Sequence, residues 1–166
     1  MFRAAAEQIA ASDLSQRLQD LPWVVPVSQS THIVALSVLF TSMLMISLRL
    51  LGVGNGSRTV SQLSATLLPW MWRALLVLFL TGVLQTVVEP VRQFITPIFW
   101  LKMLLVATLA LLTLWFSRTL HANAAVWDSA DSRPAAAKLF AVVSIVGWAT
   151  AITFGRFIGY VWSNYL

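Results

Sequence analysis

Few side chains in this chain could do chemistry, and most of them stand alone in apolar sequence. His32 is the candidate metal ligand, because a neutral imidazole binds haem iron and other transition metals. Lys102 and Arg156 carry charges that would neutralise a haem propionate, a reduced quinone oxygen or the carboxylate of Glu89. Gln85 lies four residues before Glu89 and therefore shares its helix face. Since only one of these groups is an acid, catalysis by paired carboxylates is not predicted.

The composition places these polar groups in a membrane protein. Of the 166 residues, 58% are hydrophobic and 10% are charged, whereas a soluble domain has about 25% charged residues. Eight tryptophans support this class, because indole rings favour the membrane–water boundary. An ionisable group at the bilayer centre costs roughly 3 kcal/mol or more, so each candidate needs a partner or a task.

Charge and cysteine content exclude several classes of function. The net charge is +5, but the basic residues stand singly at the ends of apolar stretches. That pattern is typical of membrane topology, and no nucleic-acid binding is predicted. The chain has no cysteine, which excludes disulfides, thiolate metal sites, iron–sulfur clusters and cysteine nucleophiles.

Four apolar stretches are each long enough to cross the bilayer as a helix. They cover approximately residues 27–51, 67–88, 98–118 and 136–162. The glycines at 52, 54 and 56 end the first stretch, and Glu89-Pro90 ends the second because proline cannot extend a helix. The predicted fold is all-α, an integral membrane antiparallel four-helix bundle over residues 22–166.

Residues 1–21 precede the bundle and are predicted to form an amphipathic helix that lies along the membrane interface. Their apolar residues recur at roughly helical spacing, with charged residues between them. A signal peptide would need a longer apolar run, so we expect this segment to be retained. Pro22 and Pro26 would then turn the chain into the membrane.

Basic residues predict the orientation. The two connections between spans one and two and between spans three and four are flanked by Arg49, Arg58, Arg73, Arg118, Arg133 and Lys138. Because basic flanks stay cytoplasmic, we expect both termini on the outer, periplasmic side of a bacterial inner membrane. Each span then carries a candidate polar group in its outer half. The cytoplasmic arginines and His121 are interpreted as contacts to headgroups and water.

The fourth span carries small residues at every fourth position. They are Gly147, Ala151, Gly155 and Gly159, and they form one narrow face that a neighbouring helix can approach closely. Packing within the bundle is the favoured interpretation. Contact with a partner subunit or with a second copy of the chain is the alternative.

Five short segments resemble a family of small four-span bacterial membrane proteins of uncharacterised function. The segments are 31–35 (Thr-His-Ile-Val-Ala), 48–52 (Leu-Arg-Leu-Leu-Gly), 67–70 (Leu-Leu-Pro-Trp), 101–105 (Leu-Lys-Met-Leu-Leu) and 155–158 (Gly-Arg-Phe-Ile). The resemblance covers most of the chain after Leu21.

More remotely, the spacing is similar to HemJ-type protoporphyrinogen oxidases and to CopD-like copper-resistance membrane proteins. That resemblance implies that His32 is a haem-iron ligand and that Lys102 is a second functional position. The chain lacks the further histidines that are common at the ends of the HemJ spans, which argues against catalytic porphyrinogen oxidation.

The leading hypothesis is a membrane-embedded redox component that binds a b-type haem in the outer half of the bundle. His32 would bind the iron, Lys102 and Arg156 would contact the propionates, and Gln85 and Glu89 would complete the polar site. One alternative is a non-catalytic accessory or anchor subunit. The others are a copper-handling protein and a small-solute transporter.

Overall fold

A computed structural model describes residues 2–53, 58–129 and 135–161 of the chain. Helices make up almost all of these ranges, and no strand occurs within them. In chain order the helices are α1 (Phe2–Ala10), α2 (Asp13–Gln19), α3 (Val24–Leu50), α4 (Val60–Val88), α5 (Pro90–Ile95), α6 (Pro97–Ala122), α7 (Ala124–Asp128) and α8 (Ala135–Val161). Two of the predicted turn glycines, part of the loop before α8 and residue 162 lie outside these ranges.

Four of the described helices, α3, α4, α6 and α8, are long and apolar enough to cross a membrane. The chain is therefore an all-helical, multi-pass membrane protein, as its composition predicts. The largest difference from prediction is the start of α4, which lies at Val60 instead of residue 67. Thr59 and Gln62 form a reciprocal capping box that starts the helix in polar sequence, where hydropathy carries no signal.

The amino-terminal segment forms two helices where the sequence predicts one. Ser12 separates them, because its hydroxyl donates to the Ile9 carbonyl and accepts from the Ser15 amide that begins α2. Side chains of α2 then donate to carbonyls in the last turn of α4, from Ser15 to Val87 and from Gln19 to Val88. These carbonyls belong to the helix end, which lacks partners of its own. Helices α1 and α2 thus pack against α4 and α5.

In the bundle, α3 packs against α4 and α8, and α8 packs in turn against α6. Contacts between α4 and α6 are sparse. The hydrophobic core occupies the middle of the bundle and the half that is farther from α1 and α2. It includes Leu39, Met43, Met71, Phe116 and Trp148, each almost completely buried. The half that is closer to α1 and α2 contains the candidate side chains His32, Gln85 and Lys102, whereas buried hydroxyl groups such as those of Ser47 and Ser64 lie in the other half.

Asp128, at the end of α7, caps the start of α4. Its carboxylate accepts hydrogen bonds from the Ser61 amide at 2.9 Å and from the Ser61 hydroxyl at 2.5 Å. A negative charge at this position also favours the positive end of the helix dipole. Partial burial alone would raise the pKa of Asp128, but hydrogen bonds from Ser61, Thr59 and the Val60 amide lower that pKa below its ordinary value.

Replacing Asp128 with alanine is expected to cost about 1 kcal/mol of stability, the usual cost of losing a helix cap. Because the pKa is lower in the folded chain than in the unfolded chain, the ionised carboxylate stabilises the fold above the ordinary aspartate pKa. This contribution is lost as the pH falls from about 4 through the lowered value. Denaturation of the detergent-solubilised protein at pH 3 and pH 6 measures the effect.

Asp13→Asn provides the matched control, because Asp13 is an exposed carboxylate that pairs with Arg17 inside α2, which packs against the end of α4 and not against its start. Asp128→Asn should reduce the difference in stability between pH 3 and pH 6, and Asp13→Asn should change it less. An equal reduction by the two variants would contradict a capping role for Asp128.

Candidate functional site

The imidazole of His32 contacts α4. Its Nδ1 atom lies 2.7 Å from Oγ1 of Thr81. The Thr81 hydroxyl also lies 2.7 Å from the carbonyl oxygen of Val77, the acceptor one turn earlier in the same helix. When that hydroxyl donates to Val77, Nδ1 of His32 carries the ring proton and donates to Thr81. The Nε2 atom then keeps its lone pair, which is the form that binds a metal.

The polar contact continues along the seam between α3 and α4. Ser28, one turn before His32, lies with its hydroxyl 3.5 Å from the Thr81 carbonyl. Gln85 lies one turn beyond Thr81, with its amide nitrogen 3.5 Å from the Ser28 hydroxyl. A cavity of about 10 Å³ borders Ser28, Gln85 and Glu89. A cavity of that size has room for one water molecule, so a larger ligand would not fit inside this seam.

Lys102 reaches the site from α6. Its ammonium lies against α8 at Gly155, where a Cβ on the glycine would lie 3.4 Å from Nζ. The ammonium is also near enough to His32 for the two groups to interact electrostatically. Within residues 2–53, 58–129 and 135–161 the ion pairs join Arg3 to Glu7, Arg17 to Asp13 and Arg92 to Glu89. The charge of Lys102 therefore has no carboxylate partner in these ranges.

Glu89 pairs with a residue that the sequence did not single out. Its carboxylate lies 2.7 Å from Nη1 of Arg92, three residues later at the start of α5. The Arg92 side chain also reaches α8, where its Nη2 atom lies 3.1 Å from the position of a Cβ at Gly159. The spacing of Glu89 and Arg92 around Pro90 is the one available signal, because proline often begins a helix and brings these positions together.

Arg156 lies outside this group of side chains. Its side chain is exposed and donates to the Tyr160 hydroxyl at 3.2 Å, with the guanidinium 5.2 Å from the centre of the Tyr160 ring. Gly155 faces Lys102, and the next residue of an α-helix points about 100° away. The structure therefore puts Lys102 within electrostatic range of His32 and leaves Arg156 on the outer surface of α8.

The small-residue face of α8 packs against side chains from other helices of the same chain. A Cβ at Gly147 would lie 2.6 Å from a methyl group of Leu109, and Ala151 is buried. Further along, Gly155 and Gly159 receive the side chains of Lys102 and Arg92. This face matches the favoured interpretation of packing within the bundle.

The other candidate metal ligands are far from His32. His121 lies near the opposite end of α6, with Nδ1 2.6 Å from the Ser117 carbonyl. Across the part of the chain that the structure describes, no group of three or more histidine, cysteine or acidic side chains could hold a metal ion. His32 is the histidine at the end of the bundle near α1 and α2, and Lys102 and the Thr81 hydroxyl lie near its ring.

Comparison with known proteins identifies one family. The model of DUF6644, a family of unknown function, matches residues 23–161. No curated protein and no solved structure matches the chain. The similarity to HemJ-type and CopD-like proteins therefore rests only on the residues quoted above.

Proposed function

We propose that this chain, which belongs to the DUF6644 family of unknown function, is a membrane-embedded redox component that binds a b-type haem through His32. The hydrogen bond between His32 and Thr81 carries the proposal. Histidines that bind metals generally donate their second ring nitrogen to a fixed acceptor, which sets the tautomer and the ring orientation. Thr81 is such an acceptor.

The neighbouring residues fit a haem by their chemistry. Nε2 of His32 would bind the iron, and Lys102 would supply a positive charge for a propionate. A partly buried ammonium without a carboxylate partner among the described residues calls for an anion from outside them. A bound b-type haem would supply one-electron redox chemistry.

The chain itself would control the environment of that group. The Thr81 hydroxyl limits the rotation of the imidazole and, when it donates to the Val77 carbonyl, favours the tautomer with the proton on Nδ1. The apolar helices exclude water, which strengthens electrostatic interactions in the site. Lys102 places a positive charge within electrostatic range of His32, and a positive charge there favours the more electron-rich state of a redox centre.

Localisation and partners belong to the same proposal. We place the chain in a bacterial inner membrane with both termini and the His32 site towards the periplasm, because the opposite side has more basic flanks. Gly159 is exposed, so contact with a partner subunit or a second copy at that end of the small-residue face stays a prediction. The remote resemblance to HemJ-type proteins supports the choice of His32 and Lys102.

A reduced-minus-oxidised absorption spectrum of the purified, haem-supplemented protein in detergent tests the proposal. We expect a Soret band and its shift on reduction in the wild type, and loss of both in His32→Ala. His121→Ala is the matched control, because the chain contains two histidines and His121 lies away from the site. A wild type without the band would overturn haem binding, and an unchanged spectrum for His32→Ala would overturn the assignment of the ligand.

A further inference from the structure

The guanidinium of Arg92 presents one of its edges without a partner. Its Nη1 atom donates to Glu89. The opposite edge consists of Nε and Nη2, the pair of donors that can bind both oxygens of one carboxylate. None of the described residues accepts a hydrogen bond from Nε, although that atom is buried. A buried donor without an acceptor is costly, so this edge calls for an anionic group.

Arg92 and Lys102 lie along the same face of α8. Nζ of Lys102 and Nη2 of Arg92 are 3.4 and 3.1 Å from the Cβ positions at Gly155 and Gly159. Residues four apart on a helix have Cβ atoms about 5–6 Å apart, so the two nitrogens lie at most about 12 Å apart. The missing Cβ at each glycine lets the cationic nitrogen lie close to the backbone of α8.

We propose that Lys102 and Arg92 together bind the two carboxylates of one apolar ligand. Lys102 provides a single ammonium, and Arg92 provides a two-pronged hydrogen-bond donor. The surrounding helices are apolar, so the matching ligand class is an amphiphilic dicarboxylate with a large apolar body. The inference deepens the proposed function, since a b-type haem with its two propionates belongs to this class.

Glu89 acts as a positioning residue in this arrangement. By accepting from Nη1, its carboxylate fixes the rotation of the guanidinium and turns the Nε–Nη2 edge away from itself. Pro90 begins α5 directly after Glu89, so Glu89 and Arg92 lie within one helical turn of each other. Glu89 therefore contributes to the site without binding the ligand.

Binding of metal-free protoporphyrin IX and of its dimethyl ester tests the inference. The two compounds have the same porphyrin macrocycle. Protoporphyrin IX has two ionised carboxylates, which are replaced by neutral methyl esters in the dimethyl ester. Quenching of tryptophan fluorescence reports binding, after subtraction of quenching in protein-free micelles. We expect the diacid to bind the wild type at least about tenfold more tightly than the ester, because hydrogen bonds to charged groups are the stronger ones.

Single-residue variants test which side chains cause the preference for the diacid over the ester. Arg92→Gln and Lys102→Gln are each expected to weaken diacid binding about tenfold and to leave ester binding unchanged. Arg92→Lys, which keeps the charge but loses the two-pronged edge, should fall between wild type and Arg92→Gln. Arg156→Gln is the matched control and should bind both compounds as the wild type does, because Arg156 lies on the outer surface of α8.

The outcomes separate this inference from haem ligation. Equal binding of the diacid and the ester by the wild type would overturn the two-cation site, whatever the variants do. Because the probe contains no iron, a diacid preference without a His32-dependent haem spectrum would support the two-cation site and overturn iron ligation. A His32-dependent haem spectrum without a diacid preference would support iron ligation by His32 and overturn the two-cation site.

Discussion

Replacing Phe116 with alanine is expected to lower the free energy of unfolding by roughly 2–4 kcal/mol. Phe116 is completely buried between helices. Its ring stacks on Phe140 of α8 with centroids 4.4 Å apart, and Trp127 of α7 meets it edge-on at 5.1 Å. The substitution thus leaves a cavity where three helices meet.

The expected effect lies below the largest values for soluble proteins for a physical reason. Buried phenylalanine in a soluble core costs about 3–5 kcal/mol when truncated, and part of that cost is transfer from water. Lipid tails are as apolar as the core, so the transfer contribution largely disappears and the lost packing remains. Denaturation of the protein in mixed detergent micelles by sodium dodecyl sulfate, followed by circular dichroism, measures the change.

Phe79→Ala is the matched control, because Phe79 belongs to a spanning helix but is 60% exposed. Removing it should change the free energy of unfolding by no more than about 0.5 kcal/mol. A Phe116→Ala effect as small as that of Phe79→Ala would contradict the packing at the junction of α6, α7 and α8.

The existence of the spanning helices follows from hydropathy, but their ends do not. Apolar runs predict α3, α6 and α8 closely, because the bilayer requires a minimum apolar length. The start of α4 depends instead on the capping box of Thr59 and on Asp128, which lies 67 residues from its partner Ser61. Such a contact between distant residues has no periodic signal in the sequence.

In the candidate site, too, the sequence predicts some features, and others depend on how the helices pack. Similar depths predict that His32 and Lys102 interact, because hydrocarbon disfavours an isolated charge, and in the structure Lys102 lies within electrostatic range of His32. Depth does not determine helix rotation, and Arg156 therefore lies on the outer surface although its neighbour Gly155 contacts Lys102. The sequence does not single out Thr81, because hydroxyl groups are common in membrane helices and the importance of this one depends on the register between α3 and α4.

These contacts give α8 a defined role in the site. Its small residues let Leu109 pack closely in the middle of the bundle, and the same face then accommodates the long side chains of Lys102 and Arg92. One periodic feature thus serves both helix packing and the placement of charge. A substitution on this face is expected to affect stability at Gly147 and ligand binding at Gly155.

Thr81→Val is expected to weaken haem binding about 10- to 100-fold, the usual consequence of losing the acceptor behind a metal-binding histidine. Valine preserves the shape of threonine but has no hydroxyl. Nδ1 of His32 would then lose its partner at 2.7 Å, and the imidazole would no longer be held in the tautomer with Nε2 free. Titration of haem into the purified protein, followed at the Soret band, gives the dissociation constant.

Thr81→Ser is the matched control, since serine keeps a hydroxyl within reach of both His32 and the Val77 carbonyl. We expect its haem dissociation constant to stay within about threefold of the wild-type value, far from the 10- to 100-fold change of Thr81→Val. Equal affinities for the wild type, Thr81→Ser and Thr81→Val would mean that the hydroxyl does not orient an iron ligand. The contact between His32 and Thr81 would then serve helix packing alone, since interhelical hydrogen bonds also hold membrane bundles together.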